Sequence, residues 1–268
     1  MSFAQVECAA VPNPERCLDV GDVGDWAMVW IMSMPTGFGE FWPSGGFEDV
    51  DQSGSKDWIA RLRAHISSQP EEAQKKLMPS GAPYRYGYFV AQKFKTEIGE
   101  QPAADLPPVT PVLAHEAPKT FNTAKTNKKL GDLIMLNSRI LAVSEGLKAI
   151  IEDLEPGIHQ FFPIDIVQPR SIYPTPFYTI VIGNYRNSFR DVEAVMPELP
   201  DGERYTFTEV DKAAASKMYF DRSVFGSAHI WRERAFNEFI INFSDKFVQS
   251  AIEANMRLPK LYQAKEFD

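Results

Sequence analysis

RILAVSEGLKAIIEDL, residues 139–154, and FIINFSDKFVQSAI, residues 239–252, are two versions of one pattern. Each opens on a β-prone apolar run, Ile140 to Val143 in the first and Phe239 to Phe243 in the second. Each then places a serine, Ser144 or Ser244, directly before an acid, Glu145 or Asp245. A serine there accepts a backbone N–H of the first helical turn, and the acid faces the positive end of the helix dipole. Leu147, Ile150, Ile151 and Leu154 fall on one helical face, as do Phe247, Val248, Ala251 and Ile252. Pro156-Gly157 and Leu258-Pro259 end the two helices. The spacing predicts strand, serine cap and amphipathic helix twice over. An internal duplication and two ordinary strand-to-helix transitions both fit, because serine is a common cap.

Outward from this pair, His159 to Val167, Tyr178 to Asn184 and Lys217 to Phe220 read as further strands, so the fold class is α+β with a mixed sheet and packed helices. Toward the N-terminus, residues 25–32 (DWAMVWIM) are apolar on both faces of an extended chain, which predicts a central strand. Gly37, Gly39, Pro43, Gly45 and Gly46 turn the next stretch into a loop carrying Phe38, Phe41, Trp42 and Phe47. Trp58, Ile59, Leu62 and Ile66 predict a helix over 56–68. Ser68 and Glu71 have capping-box spacing for another helix, and Tyr84 to Phe94 is aromatic and β-prone. Five prolines between 99 and 118 mark an extended linker or a long surface loop. The expected organisation is an acidic, aromatic-rich region at 1–98, the proline-rich stretch at 99–120 and an α+β domain at 121–268.

Charge is distributed unevenly. The net charge is −8, and residues 1–60 carry all of it, with ten acids against Arg16 and Lys56. Residues 61–268 hold 26 of each sign. The first sixty residues also hold Trp26, Trp30, Trp42 and Trp58. An acidic chain argues against nucleic acid as a partner, because phosphate needs a basic face. No apolar run approaches the roughly 20 residues a bilayer requires. The first residues lack a basic start followed by an apolar stretch, so a cytoplasmic location is expected. Cys8 and Cys17 are then two free thiols.

Catalytic templates fail. There is no G-x-S-x-G, no H-E-x-x-H and no phosphate-cradling glycine loop, so no catalytic residue and no cofactor is assigned. Gly21-Asp22-Val23-Gly24 is too short for a dinucleotide fingerprint. Asp49, Asp51, Ser53 and Asp57 follow the start of a calcium loop, but Ala60 stands where the bidentate acid belongs. The plainer reading of that segment is a polar turn capping the 56–68 helix. His159, close to Glu152, Asp153 and Glu155, invites an acid–base reading, but those acids read better as the solvated end of a helix.

Three stretches together carry a family resemblance: ILAVSEGLKAIIEDLEPGIHQFFPIDIV from Ile140, YTIVIGNYRNSF from Tyr178, and the run from Phe225 to Leu258. Over roughly residues 120–262 the chain resembles immunity-protein family eleven of bacterial polymorphic toxin systems. The shared features are a V-S-E helix start, an F-x-P-[IV] strand and a second S-[DE] helix start. The resemblance implies a protein that binds and neutralises a cognate toxin protein by occluding it, with no catalytic residues to carry over. An enzyme or small-ligand module on the same scaffold is the alternative. The acids and aromatics of the first sixty residues suggest the toxin interface: Phe41, Trp42 and Phe47 as anchors, ringed by Glu40, Glu48 and Asp49. On that reading an acidic face steers a basic toxin, and reversing Glu40, Glu48 and Asp49 to lysine slows association.

Overall fold

A computed structural model describes residues 28–48, 57–79, 81–191, 204–205, 210–237 and 240–267. In chain order the first elements are β1 (Met28–Ser33), β2 (Gly45–Phe47), α1 (Trp58–Ser67), α2 (Glu71–Leu77) and α3 (Tyr86–Lys93). Then come β3 (Thr120–Thr123), β4 (Leu133–Met135), β5 (Leu141–Ser144), α4 (Glu145–Leu154), β6 (Gln160–Gln168), β7 (Ser171–Ile172) and β8 (Phe177–Val181). The last are β9 (Tyr185–Arg186), β10 (Phe189–Arg190), α5 (Lys212–Ala215), β11 (Tyr219–Asp221), α6 (Arg222–Phe225), β12 (Ile230–Glu233), β13 (Ile240–Ser244), α7 (Asp245–Glu253) and β14 (Leu261–Phe267). The fold is α+β, with two mixed sheets.

The repeated motif is the visible part of a larger repetition. One sheet runs β2-β3-β6-β8-β5-β4, the other β10-β11-β14-β1-β13-β12, with β7 and β9 as additions. In both orders only the second pairing is parallel, β3 with β6 and β11 with β14. Aligning Ser144 with Ser244 brings the registers into step. Val143 faces Tyr178, which faces Pro163; Phe243 faces Trp30, which faces Gln263. At the far edge Phe47 pairs with Phe121, and Phe189 pairs with Phe220. Both aromatic pairs meet edge to face, at 5.3 and 6.0 Å between ring centres.

Chain order shows that the two halves exchange a strand. β1 precedes β2–β6 in sequence but completes the sheet of β10–β14, between β13 and β14. β8 precedes β10–β14 but completes the sheet of β2–β6, between β5 and β6. Each half therefore supplies a central strand to the other. Val29 and Ile31 point into one core, Trp30 and Met32 into another, as the two-faced apolar run requires.

Three cores result. The central one lies between the sheets, where α4 and α7 bring Leu147, Ile151, Phe247, Val248 and Ala251 against Leu141, Val143, Ile180 and Phe243. Ser144 Oγ accepts the Leu147 N–H and Ser244 Oγ accepts the Phe247 N–H, so both predicted caps form. A second core packs α1, α3 and part of the proline-rich stretch on the outer face of the β2–β4 sheet. The third packs Phe189, Phe220, Trp231 and Phe236 beneath α5 and α6.

The region between β2 and β3 differs from expectation in two places. Ser68 does not open α2: it closes α1, and its hydroxyl donates to His65 O. Pro70 takes the N-cap position instead, with no side-chain cap. Residues 86–93 are helical, not extended, because Tyr86, Phe89, Val90 and Lys93 recur at helical spacing and all point inward. Gly87 lets α3 approach α1, since a Cβ there would meet Ile59 at 2.7 Å. The proline-rich stretch is irregular but anchored. Gly99 N donates to Val109 O, and Leu106, Val109, Val112 and Ala117 are buried. Beneath it lies a buried ion pair: Lys93 Nζ donates to both Glu116 oxygens at 2.6 and 2.8 Å, and the Tyr86 hydroxyl donates to one of them.

Candidate partner-binding surface

The connection from β1 to β2 forms a tight aromatic turn. Gly39 N donates to Trp42 O at 2.8 Å, and Phe38 lies against Trp42 with ring centres 4.6 Å apart. Phe38 is 61% exposed, while Trp42 is half-buried against the central core. Backbone bonds fix the connection at both ends: Met135 N of β4 donates to Phe41 O, Gly131 N donates to Glu40 O, and Ala124 N donates to Ser44 O as a continuation of the β2–β3 ladder. Phe41 lies over Gly131, where a Cβ would stand 2.3 Å from its ring, so a side chain there would displace the ring. An exposed aromatic on a fixed backbone loses little conformational entropy when a partner covers it.

The other candidate interface residues serve the fold in different ways. Phe47 is 8% exposed, enclosed by Trp58 and Phe121. Glu40 pairs with Arg257 at 2.6 Å. Glu48 receives a forked bond from Arg61 and a weaker one from Lys119 N. Both carboxylates are thus largely neutralised within the fold. Asp49 lies outside the described residues, as do Cys8, Cys17 and the calcium-loop residues Asp49, Asp51 and Ser53. Asp57, the remaining member of that set, is the N-cap of α1, its carboxylate accepting the Ala60 N–H at 2.6 Å. Among the described residues no group of three or more metal-ligating side chains converges.

A polar cluster sits where the two sheets meet. Glu155 Oε1 accepts from Asn184 Nδ2 at 2.6 Å and His229 N at 2.8 Å. Oε2 accepts from Ile230 N at 3.0 Å and contacts His159 Nε2 at 2.8 Å. His159 Nδ1 accepts the Gly183 N–H, so Nε2 carries the hydrogen and donates to Glu155. Glu155 is therefore not at the solvated end of its helix. It is 5% exposed, and the His159 side chain has no exposure. A catalytic pair needs access to substrate; here both carboxylate oxygens hold protein donors, and the imidazole is closed off. The cluster fastens the end of α4 to the start of β12. Asp132 fastens the reciprocal joint: its oxygens accept Ser144 Oγ and Arg257 N, both at 2.7 Å. Sequence offered one overlooked signal. An acid at a helix C-terminus opposes the dipole, so Glu155 needs donors from elsewhere in the fold.

His229 gives this joint a pH dependence. Its Nδ1 is 2.7 Å from Ser244 Oγ, and burial lowers its pKa from 6.5, with Glu155 opposing and Lys246 adding to the shift. A histidine lowered on folding takes up its proton more readily when unfolded, so stability is lost as pH falls below about 6.5. His115, also lowered by burial and by His65, acts in the same direction. Melting temperature is expected to drop between pH 7 and pH 5.5, and His229→Asn to flatten part of that drop. An identical pH slope in the variant would remove His229 from this account.

No described helix is long and apolar enough to cross a membrane. No curated protein matches the chain. The profile of the Immunity protein family (Imm11) matches residues 65–266, a span that starts in α1 and includes every strand of both sheets except β1 and β2. The match covers most of the chain and begins well before the stretch in which the resemblance is first legible, so this chain belongs to the Imm11 immunity protein family.

Proposed function

We propose that this protein binds a toxin protein in the cytoplasm of the producing cell and neutralises it by occlusion, with the aromatic turn around Phe38, Phe41 and Trp42 at the interface. The observation that carries the reading is the exposed Phe38, its ring tilted against Trp42 and presented by a backbone fixed to β4. Aromatic side chains at the centre of an interface supply a large share of binding energy. Family membership supplies the class of partner. Neutralisation then needs only coverage of the toxin's working surface, with no chemistry from this chain.

The test is co-expression with the toxin encoded by the adjoining gene. Growth rescue and co-purification of the two proteins are expected. Phe38→Ala should raise the dissociation rate about 30-fold, equivalent to about 2 kcal/mol at an interface hot spot. The melting temperature should hardly change, because the ring is mostly in solvent. A chain that neither rescues growth nor co-purifies with the toxin would sink the reading. A Phe38→Ala variant with unchanged dissociation would move the interface elsewhere.

A further inference from the structure

The two halves treat equivalent edges differently. Met135 and Arg232 hold the same place in the aligned registers, and each amide bonds to the segment following the exchanged strand, at Phe41 O and Asn184 O. On the β12 side that segment is covered. The loop after α3 crosses to it, Glu97 making a forked pair with Arg234 and Glu100 pairing with Arg204. Tyr185 beneath is 8% exposed, and burial pushes its phenol up to about 12. On this side β9 pairs with β12, and an acidic loop lies over the segment through ion pairs to basic side chains.

The β4 edge carries a longer connection. Thirteen residues (34–46) separate β1 from Phe47, where seven (182–188) separate β8 from Phe189. The longer connection contains the turn that exposes Phe38. Alongside runs loop 124–131, bonded to the turn at Ala124 and Gly131, with Lys125, Lys128 and Lys129 exposed. Asn127 N ties the same loop to Gln168, two residues before exposed Arg170. Between Lys119 and Gly131 there is no acid, in a chain whose net charge is −8. The nearby carboxylates Glu40 and Asp132 are already bonded to Arg257.

We propose that the β4 edge, with Phe38 as its apolar anchor and Lys125, Lys128, Lys129 and Arg170 as a cationic rim, receives an acidic loop of the toxin protein. The internal precedent is the seating of Glu97 and Glu100 on the β12 edge. The sign of the partner's charge is opposite to the one composition suggests, because the described acids of the turn are held in ion pairs and the lysines beside it face solvent. A protein is favoured over a nucleic acid by the overall charge of −8, which repels a phosphate backbone. The proposal rests on the toxin-binding reading.

The test measures association of the full chain with the adjoining-gene toxin at several salt concentrations. The variants are Lys125→Glu/Lys128→Glu/Lys129→Glu and the milder triple glutamine. The wild-type rate should fall as salt rises. Charge reversal should slow association about ten-fold or more and invert the salt dependence, with glutamine intermediate. A circular-dichroism melt matching wild type verifies the fold of each variant. Binding with an unchanged rate and salt slope, or with a faster rate after reversal, overturns the acidic-loop proposal and leaves toxin binding intact. A wild-type chain that does not bind the toxin overturns both. Tighter binding of the same rim to a single-stranded oligonucleotide than to the toxin would reassign it to nucleic acid.

Discussion

Glu155→Ala is expected to destabilise the protein by about 3–5 kcal/mol, because one truncation strands several buried donors together. Glu155 accepts from Asn184, from the backbone of His229 and Ile230, and from His159. These donors come from the connection after β8, the start of β12 and the approach to β6. Water cannot easily replace the carboxylate, since Asn184 and His159 are themselves buried. For a chain of this size the loss corresponds to a fall in melting temperature of roughly 10 °C. Glu155→Gln should cost about half as much, since it keeps one acceptor oxygen and turns the other position into a donor facing donors. Thermal and urea melts of the two variants measure this. A cost below about 1 kcal/mol for alanine would mean that the joint between α4 and β12 is held by apolar packing alone.

The second large effect concerns the strand exchange. Ile31 has no exposure and lies in the middle of β1, between Asn242 of β13 and Tyr262 of β14. Ile31→Ala should cost about 2–5 kcal/mol as a buried large-to-small change. Ile31→Pro, which also removes a donor from a central strand, should leave no folded protein. The informative point is where the loss is felt. β1 completes one sheet, and the chain leaving it enters the other through β2. Hydrogen exchange of Ile31→Ala is therefore expected to show β5, β6 and β8 losing protection together with β13 and β14, in one cooperative transition. If β5, β6 and β8 keep wild-type protection, the exchanged strands do not couple the halves.

Sequence was informative wherever a signal is local. Ser144 and Ser244 are legible as caps because the hydroxyl bonds a backbone group three residues away. β1 is legible as a central strand because both of its faces are apolar. The Tyr86–Lys93 helix is not legible locally, because its aromatic content favours a strand and only packing against α1 makes the spacing of Tyr86, Phe89, Val90 and Lys93 decisive. Ser68 is ambiguous in sequence because a capping box and a helix C-terminus can share a serine; in the fold it closes α1, and Pro70 takes the N-cap of α2. In the candidate site, the aromatic turn was visible from its glycines. The burial of Phe47 and the pairing of Glu40 with Arg257 and of Glu48 with Arg61 were not, since the partners of Phe47 and Glu40 and the Arg61 fork are set by contacts outside the local stretch.

The twin motif at Ser144 and Ser244 thus determined by itself the α+β class, two capped helices and the strands before them, because those depend on residues within one helical turn or one strand. It left open whether the repeat meant anything. Tertiary structure decided that, through pairing: six strands in each sheet share one order, one set of directions and one register, with β1 and β8 exchanged. A strand's partners are chosen by burial of both its faces across the whole fold, and no stretch of sequence carries the identity of the neighbour it will meet.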